Sequence, residues 1–197
     1  MIPAEKIVGR WRTVPGSRRR TKHSFLLVES VRRTSTRTGR DLEFEYLRLP
    51  NWVNIIAVTP RRSIIFVRQY RHGVDDVVIE LPAGSVGRGE NERDAAVREL
   101  LEETGYRGTN ARRLGNLLPN TAIQTNSLST WLILNAEPVL EPRPDSGEHI
   151  EVVELPFSTT ERYIRAGRIR SALSLAALYL YRMDQRSARS SKLIQER

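Results

Sequence analysis

Cysteine is absent from this chain of 197 residues. Its absence excludes disulfides, zinc-thiolate sites and a cysteine nucleophile. Lysine is nearly absent as well. Of the 32 Lys+Arg, only Lys6, Lys22 and Lys192 are lysine, so arginine carries the positive charge. No apolar run reaches the ~18 residues that a membrane-spanning helix needs, so no membrane span is expected. Met1 to Arg20 is polar and Arg-rich, unlike a secretory leader, and a cytoplasmic location is the expectation. Aromatic residues make up only 7% of the chain and show no base-stacking pattern. Internal repeats are missing too.

What is present suffices for a core. At 39% hydrophobic, the chain can bury one domain, or one domain with an extra N-terminal piece. The net charge is +9. Arginine's planar fork suits phosphate recognition. The charge is open to a nucleic-acid-binding reading, but without a stacking pattern an Arg-biased genome with an anionic small-molecule substrate is favoured.

The order of elements predicts an α+β fold, a mixed β-sheet packed between helices. Ser24 to Ser30 and Asp41 to Leu49 read as a hairpin joined by a turn at Arg32 to Arg40. Arg18, Arg19 and Arg20 read as a loop or mobile arm. Trp52 to Thr59, Ser63 to Gln69, Val77 to Leu81, Leu114 to Leu118, Leu128 to Asn135 and Ile150 to Leu155 read as further strands. Ser158 and Glu161 suggest a capping box opening a short helix to about Ala166. A last helix is expected over Ser171 to Met183, with Leu173, Ala176, Ala177, Leu180 and Tyr181 on its buried face. The segment after Asp184 looks polar and frayed.

The most informative stretch is Gly84 to Tyr106, GSVGRGENERDAAVRELLEETGY. Glu99, Glu102 and Glu103 stand at i, i+3 and i+4, so a helix puts all three carboxylates on one face. Like charges at that spacing repel by a few tenths of a kcal/mol per pair, so stability alone would not select them. A hard divalent cation would, since Mg²⁺ prefers oxygen ligands and holds waters and substrate phosphates. Asn91 is the expected N-cap, with Glu92 and Asp94 supplying negative charge in the first turn. Ala96, Val97, Leu100 and Leu101 form the expected apolar face, and Gly105 the C′ glycine. The glycine-containing loop Gly84 to Gly89 lets backbone approach a ligand closely.

This stretch resembles the box of the Nudix hydrolases. Gly84, Glu90, Arg98, Glu99, Leu100, Glu102, Glu103, Gly105 and Tyr106 stand at every fixed position of that pattern. Val67-Arg68-Gln69-Tyr70-Arg71 and Glu80-Leu81-Pro82-Ala83-Gly84 further resemble the branch of ADP-ribose pyrophosphatases and nucleoside-diphosphate-sugar hydrolases. Gly167-Arg168-Ile169 and the helix after it are similar too, so the likeness spans about residues 24 to 183.

The resemblance implies an α/β/α sandwich with an N-terminal β-strand extension. It implies a homodimer in which residues 1–49 serve dimerisation, residues 50–184 form the hydrolase domain and residues 185–197 a flexible basic tail. It implies a Mg²⁺ cofactor, with Mn²⁺ as the alternative ion. Glu99 and Glu103 would hold it with the Ala83 carbonyl, and Glu102 a further ion or its waters. Glu90 pairs with Arg98 or touches metal through water; pairing is favoured, which makes Arg98 an orienter of the carboxylates.

Strand alternation separates Arg68 from Arg71, and the resemblance favours Arg71 for the diphosphate, with Arg68 second. Glu80 would bond the ribose or base, or pair with an arginine. Glu148, in the acidic loop Glu141 to Glu151, is the expected catalytic base; Asp145 and Glu151 are the alternatives. Asn126 would face the ligand or hold its turn. Trp52, Trp11, Tyr46 and Phe44 are stacking candidates, more often core than contact.

One departure bears on specificity: this chain reads Asn120-Thr121-Ala122 where related sequences read Asn-Pro-Ala, which loosens strict ADP-ribose specificity. The expected substrate is ADP-ribose or a related nucleotide sugar. The alternatives are capped RNA or a dinucleoside polyphosphate as substrate, or a nucleotide-binding module without catalysis.

Overall fold

The computed structural model describes residues 9–144, 147 and 149–195. The chain forms two compact units, one comprising the residues up to Pro50 with Leu118–Asn126, the other Asn51–Leu117 with Ser127–Arg197.

The first unit is a four-stranded sheet of β1 (Trp11–Thr13), β2 (Arg19–Lys22), β3 (Leu27–Ser35) and β4 (Asp41–Arg48). β3 pairs antiparallel with each of the other three. It runs to Ser35, so the turn expected from Arg32 shrinks to the five residues before Asp41. Residues 118–126 join this unit where the Leu47 N–H donates to the Ile123 carbonyl at 2.7 Å.

Arg18 to Arg20 do not form a free arm: β2 starts at Arg19, and the fully buried Glu29 carboxylate gathers Arg18 and Arg20. Glu29 accepts from Arg20 Nε at 2.8 Å, from Arg48 Nη1 at 3.3 Å and from the Tyr46 hydroxyl, with Arg18 Nε at 3.3 Å. Burial pushes the Glu29 carboxyl up, but those hydrogen bonds and the Arg18 charge outweigh it and hold the group at about 2. A buried charge persists only when paired in this way.

The second unit is a seven-stranded mixed sheet between helices. Its elements are β5 (Trp52–Val58), β6 (Ser63–Arg71), β7 (Asp76–Glu80), β8 (Ala83–Ser85), α1 (Glu92–Thr104), β9 (Tyr106–Leu117), β10 (Leu128–Pro138), β11 (Ile150–Pro156), α2 (Phe157–Arg165) and α3 (Ala172–Gln195). The strand order is β11-β6-β5-β10-β9, with β7 on β6 and β8 on β5. β5 and β10 run parallel, and the remaining pairs antiparallel.

β5 is buried from Val53 to Val58, as a strand covered on both faces must be. Val53, Ile55 and Ala57 pack with Ala95, Ala96 and Leu100 of α1. Ile56 and Val58 join Phe66, Leu132, Ala177 and Leu178 on the opposite face, under α3. This is the expected α/β/α sandwich, and the N-terminal strands are its extension.

Local details depart from expectation. α2 starts at Phe157 with Pro156 in the cap position and no side-chain cap, so Ser158 and Glu161 form no capping box. α3 continues past Met183 to Gln195, through residues expected as a frayed tail. Val97 of α1 is exposed, and its place in the buried face is taken by Ala95. Among the described residues no helix is long and apolar enough to cross a membrane.

Candidate active site

The box helix is set by its ends. The Asn91 side chain accepts the Asp94 N–H at 2.9 Å, and Gly105 closes the helix in the left-handed region at φ 72°. No other residue fits there easily, because a Cβ at Gly105 would lie 2.0 Å from the Leu140 carbonyl oxygen. β8 pairs with β5 through Ala83↔Asn54 and Gly84↔Val53, which fixes the backbone facing the glutamates.

Glu99, Glu102, Glu103 and Arg98 then line one cavity of about 1070 Å³ with Ala83, Gly84 and Ser85. Glu103 is buried at 3% exposure and accepts the Ala83 N–H at 3.1 Å. Glycine at position 84 leaves the space that the Glu99 carboxylate occupies: an added Cβ would sit 1.9 Å from the Glu99 carboxyl carbon, so the carboxylate would have to shift.

Arg98 is the hub. Its Nε and Nη2 grip the two oxygens of Glu90 at 2.8 and 2.9 Å, a bidentate pair. Its Nη1 lies 2.8 Å from both Glu99 Oε1 and Glu102 Oε2, and Nη2 also reaches the Ser85 carbonyl at 3.0 Å. The Glu90 bond, offset by burial and reinforced by Glu102 and Glu99, holds the guanidinium above its ordinary value. The same bond pulls Glu90 below the ordinary carboxylate range against burial, aided by the Gly87 N–H. The favoured Glu90–Arg98 pairing is therefore present.

Among the described residues no three His, Cys, Asp or Glu side chains are gathered into a metal cage. Instead the Arg98 guanidinium bridges Glu99 and Glu102, and the Ala83 amide donates to one oxygen of Glu103. In donor chemistry the three carboxylates still fit a hard divalent cation. The bare backbone at Gly84 gives Glu99 room that any side chain would fill.

The rest of the cavity wall comes from distant segments. Arg71 Nε bonds Glu80 Oε2 at 2.7 Å, and both residues line the cavity, so Glu80 takes the arginine-pairing option. Trp52, Leu128, Val74 and Val78 supply apolar surface. Asn54 is buried on the wall and donates from Nδ2 to the Leu173 carbonyl at 3.2 Å. Ser174 accepts the Leu81 N–H at 3.0 Å. Arg143 and Arg170 complete the lining, and the Arg143 N–H donates to the Glu102 carbonyl at 2.7 Å.

Not every expected residue is here. Arg68 pairs with Glu151 of the adjacent strand and does not line the cavity, because alternation turns it away from the side of Gln69 and Arg71. Asn126 belongs to the N-terminal unit, where it is buried with its amide nitrogen and oxygen unpaired, and it too is absent from the cavity wall. Glu148 and Asp145 lie outside the described residues. Of the stacking candidates, Trp52 lines this cavity. Trp11, Phe44 and Tyr46 instead line a cavity of about 370 Å³ within the N-terminal unit, beside Arg18, Arg33 and Arg48. Sequence reading missed Arg143 and Arg170. The one signal for Arg170 was its place just before a serine and the last helix.

Comparison with known proteins gives a family and a fold. The NUDIX domain family matches residues 48–171. The chain is 26% identical over 148 residues to a methanol dehydrogenase activator of Bacillus methanolicus, covering 75% of this chain and 80% of the relative. It is 25% identical over 148 residues to an ADP-ribose pyrophosphatase of Bacillus subtilis, with the same shares covered. A solved ADP compounds hydrolase superposes with a TM-score of 0.80 at 21% identity, covering 93% of this chain and 98% of that one, which is a likeness of fold.

Proposed function

The chain belongs to the Nudix family, a hydrolase of phosphorus-containing anhydrides, and from that premise we propose a Mg²⁺-dependent pyrophosphohydrolase that cleaves the diphosphate of ADP-ribose or a related nucleoside diphosphate sugar. The products are a nucleoside monophosphate and a sugar phosphate. The observation that carries this reading is the convergence of Glu99, Glu102 and Glu103 on one large cavity that also holds Arg71, Arg143 and Arg170. Carboxylates serve a cation, and arginines serve phosphate oxygens.

Each residue has a stated job. Glu99 and Glu103 would hold the ion with the Ala83 carbonyl, and Glu102 a further ion or its waters. When bound, a divalent ion neutralises diphosphate charge and lowers the pKa of a coordinated water. Arg98, itself held by Glu90, orients Glu99 and Glu102 and lowers their mutual repulsion, while the Ala83 N–H holds Glu103. Arg71, held by Glu80, faces the cavity where the developing phosphate charge needs a fixed cation. Glu148 is the proposed base. Trp52 offers a face for the nucleobase. The chain acts as a homodimer through its N-terminal strands, with Mn²⁺ as an alternative ion and the cytoplasm as its site of action.

The test is a substrate panel with Mg²⁺: ADP-ribose, several nucleoside diphosphate sugars, NADH, diadenosine polyphosphates and capped RNA, with Glu103→Gln alongside. Turnover of ADP-ribose or a sugar nucleotide, lost in the variant, is the expected result. A wild type that binds nucleotide tightly and turns over none of them defeats the proposal.

A further inference from the structure

Arg170 is an unusual member of the cavity wall. Arg71 and Arg98, which share that wall, spend their charge on glutamates of the cavity or its rim, at 2.7 and 2.8 Å. Arg170 instead pairs with Asp76, the first residue of β7, which does not line the cavity. Both partners are more than half exposed, at 56% and 54%. An ion pair so open to water is weak, so it exchanges readily for a better anion. The residues after it, Ser171, Leu173 and Ser174, also line the cavity.

From this we infer that Arg170 is a substrate-binding residue: its guanidinium leaves Asp76 for a phosphate oxygen of the diphosphate, and Asp76 is the competitor that tempers affinity. The inference rests on the diphosphate-hydrolase reading. In charge it is consistent. Divalent ions engaging the three box glutamates leave the cavity short of negative charge, and a diphosphate restores it. A guanidinium bound to phosphate in a partly dry cavity makes charge-assisted hydrogen bonds that the exposed pair with Asp76 cannot match.

The test compares wild type, Arg170→Ala, Arg170→Lys and Asp76→Asn in two assays. One is steady-state hydrolysis of ADP-ribose with Mg²⁺. The other is equilibrium binding of ADP, which carries the diphosphate and needs no turnover to be read. Arg170→Ala is expected to raise KM and the ADP dissociation constant about tenfold, with kcat changed less than threefold, the lower range for a hydrogen bond to a charged group. Arg170→Lys recovers part of that loss. Asp76→Asn lowers both constants about two- to fivefold, the worth of an exposed pair. Unchanged KM and ADP binding in a folded Arg170→Ala overturn the inference, as does weaker ADP binding in Asp76→Asn. If wild type turns over neither ADP-ribose nor a sugar nucleotide, the hydrolase reading fails, and the ADP arm still decides whether Arg170 holds a diphosphate.

Discussion

At the scale of the residue, Gly84 and Glu99 make the sharpest prediction. The Glu99 carboxylate rests where a Cβ of residue 84 would stand, 1.9 Å away. Gly84→Ala must therefore push the carboxylate aside, and a displacement near 1 Å at a reacting centre costs about a hundredfold in rate. The expected outcome is a kcat lower by about that factor with an unchanged circular dichroism spectrum; a variant with wild-type kcat would show that the position of Glu99 is immaterial. Glu29 makes a second prediction, in stability. Its folded pKa, about 2, lies below the ordinary 4.5. The group therefore adds stability above pH 4.5 and loses that contribution as pH falls towards 2. Glu29→Gln is expected to cost about 3 kcal/mol at neutral pH, the low end for breaking a buried pair, since its arginines are half exposed. The gap between wild type and variant in Tm should stay constant above about pH 5 and close as the pH drops. A gap independent of pH would deny the carboxylate its charge. The two residues also differ in legibility. Glu99 was readable because its partners lie one helical turn away. Glu29 looked like any alternating strand residue, since the arginines that bury it come from β2, β4 and the residue before β2.

At the scale of the element, local chemistry explains what could be read. α1 announced itself through Asn91, its acidic first turn and Gly105, and the structure keeps all three. β8 was invisible: three residues are too few for a period, and only pairing with β5 makes Ala83–Ser85 a strand. The start of α2 was misplaced because Ser158 resembles a cap, while Pro156, with its fixed φ and the last β11 register, ends the strand first. The cap that does exist is testable. Asn91→Ala removes the acceptor for the Asp94 N–H, and about 1 kcal/mol of stability should go with it. Denaturant unfolding reads that as a lower midpoint at unchanged slope. Asn91→Asp, which keeps an acceptor at the positive end of the helix, should restore the midpoint. No loss in the alanine variant would mean that packing alone holds this end of α1.

At the scale of the whole molecule, layer order was legible and the site's far wall was not. Continuous apolar runs such as β5 predict a sheet covered on both faces, and that is how the second unit is built. Arg143 follows β9 and β10 in the chain and Arg170 lies between α2 and α3, so no local pattern could assign them to the box. The charge of +9 belongs to this scale as well. Several exposed arginines outside the cavity are paired: Arg112 with Asp184, Arg113 with Glu92, Arg182 with Glu161. Pairs of this kind leave a weaker, more diffuse positive field at those positions than a track for a phosphate backbone would need. Such a field steers a small anion weakly and is screened within about 10 Å at 0.1 M salt. Raising salt from about 50 to about 200 mM should therefore raise KM for ADP-ribose by no more than about threefold. A protein that contacts six to ten phosphates of a nucleic acid would lose about a thousandfold or more in affinity over the same range. Competition of a single-stranded RNA against ADP-ribose hydrolysis at both salt concentrations separates the two cases. Weak competition that barely changes with salt is expected. Strong inhibition at low salt that vanishes at high salt would mean that the arginines are arranged for a polymer, and that capped RNA, rather than a sugar nucleotide, is the substrate to pursue.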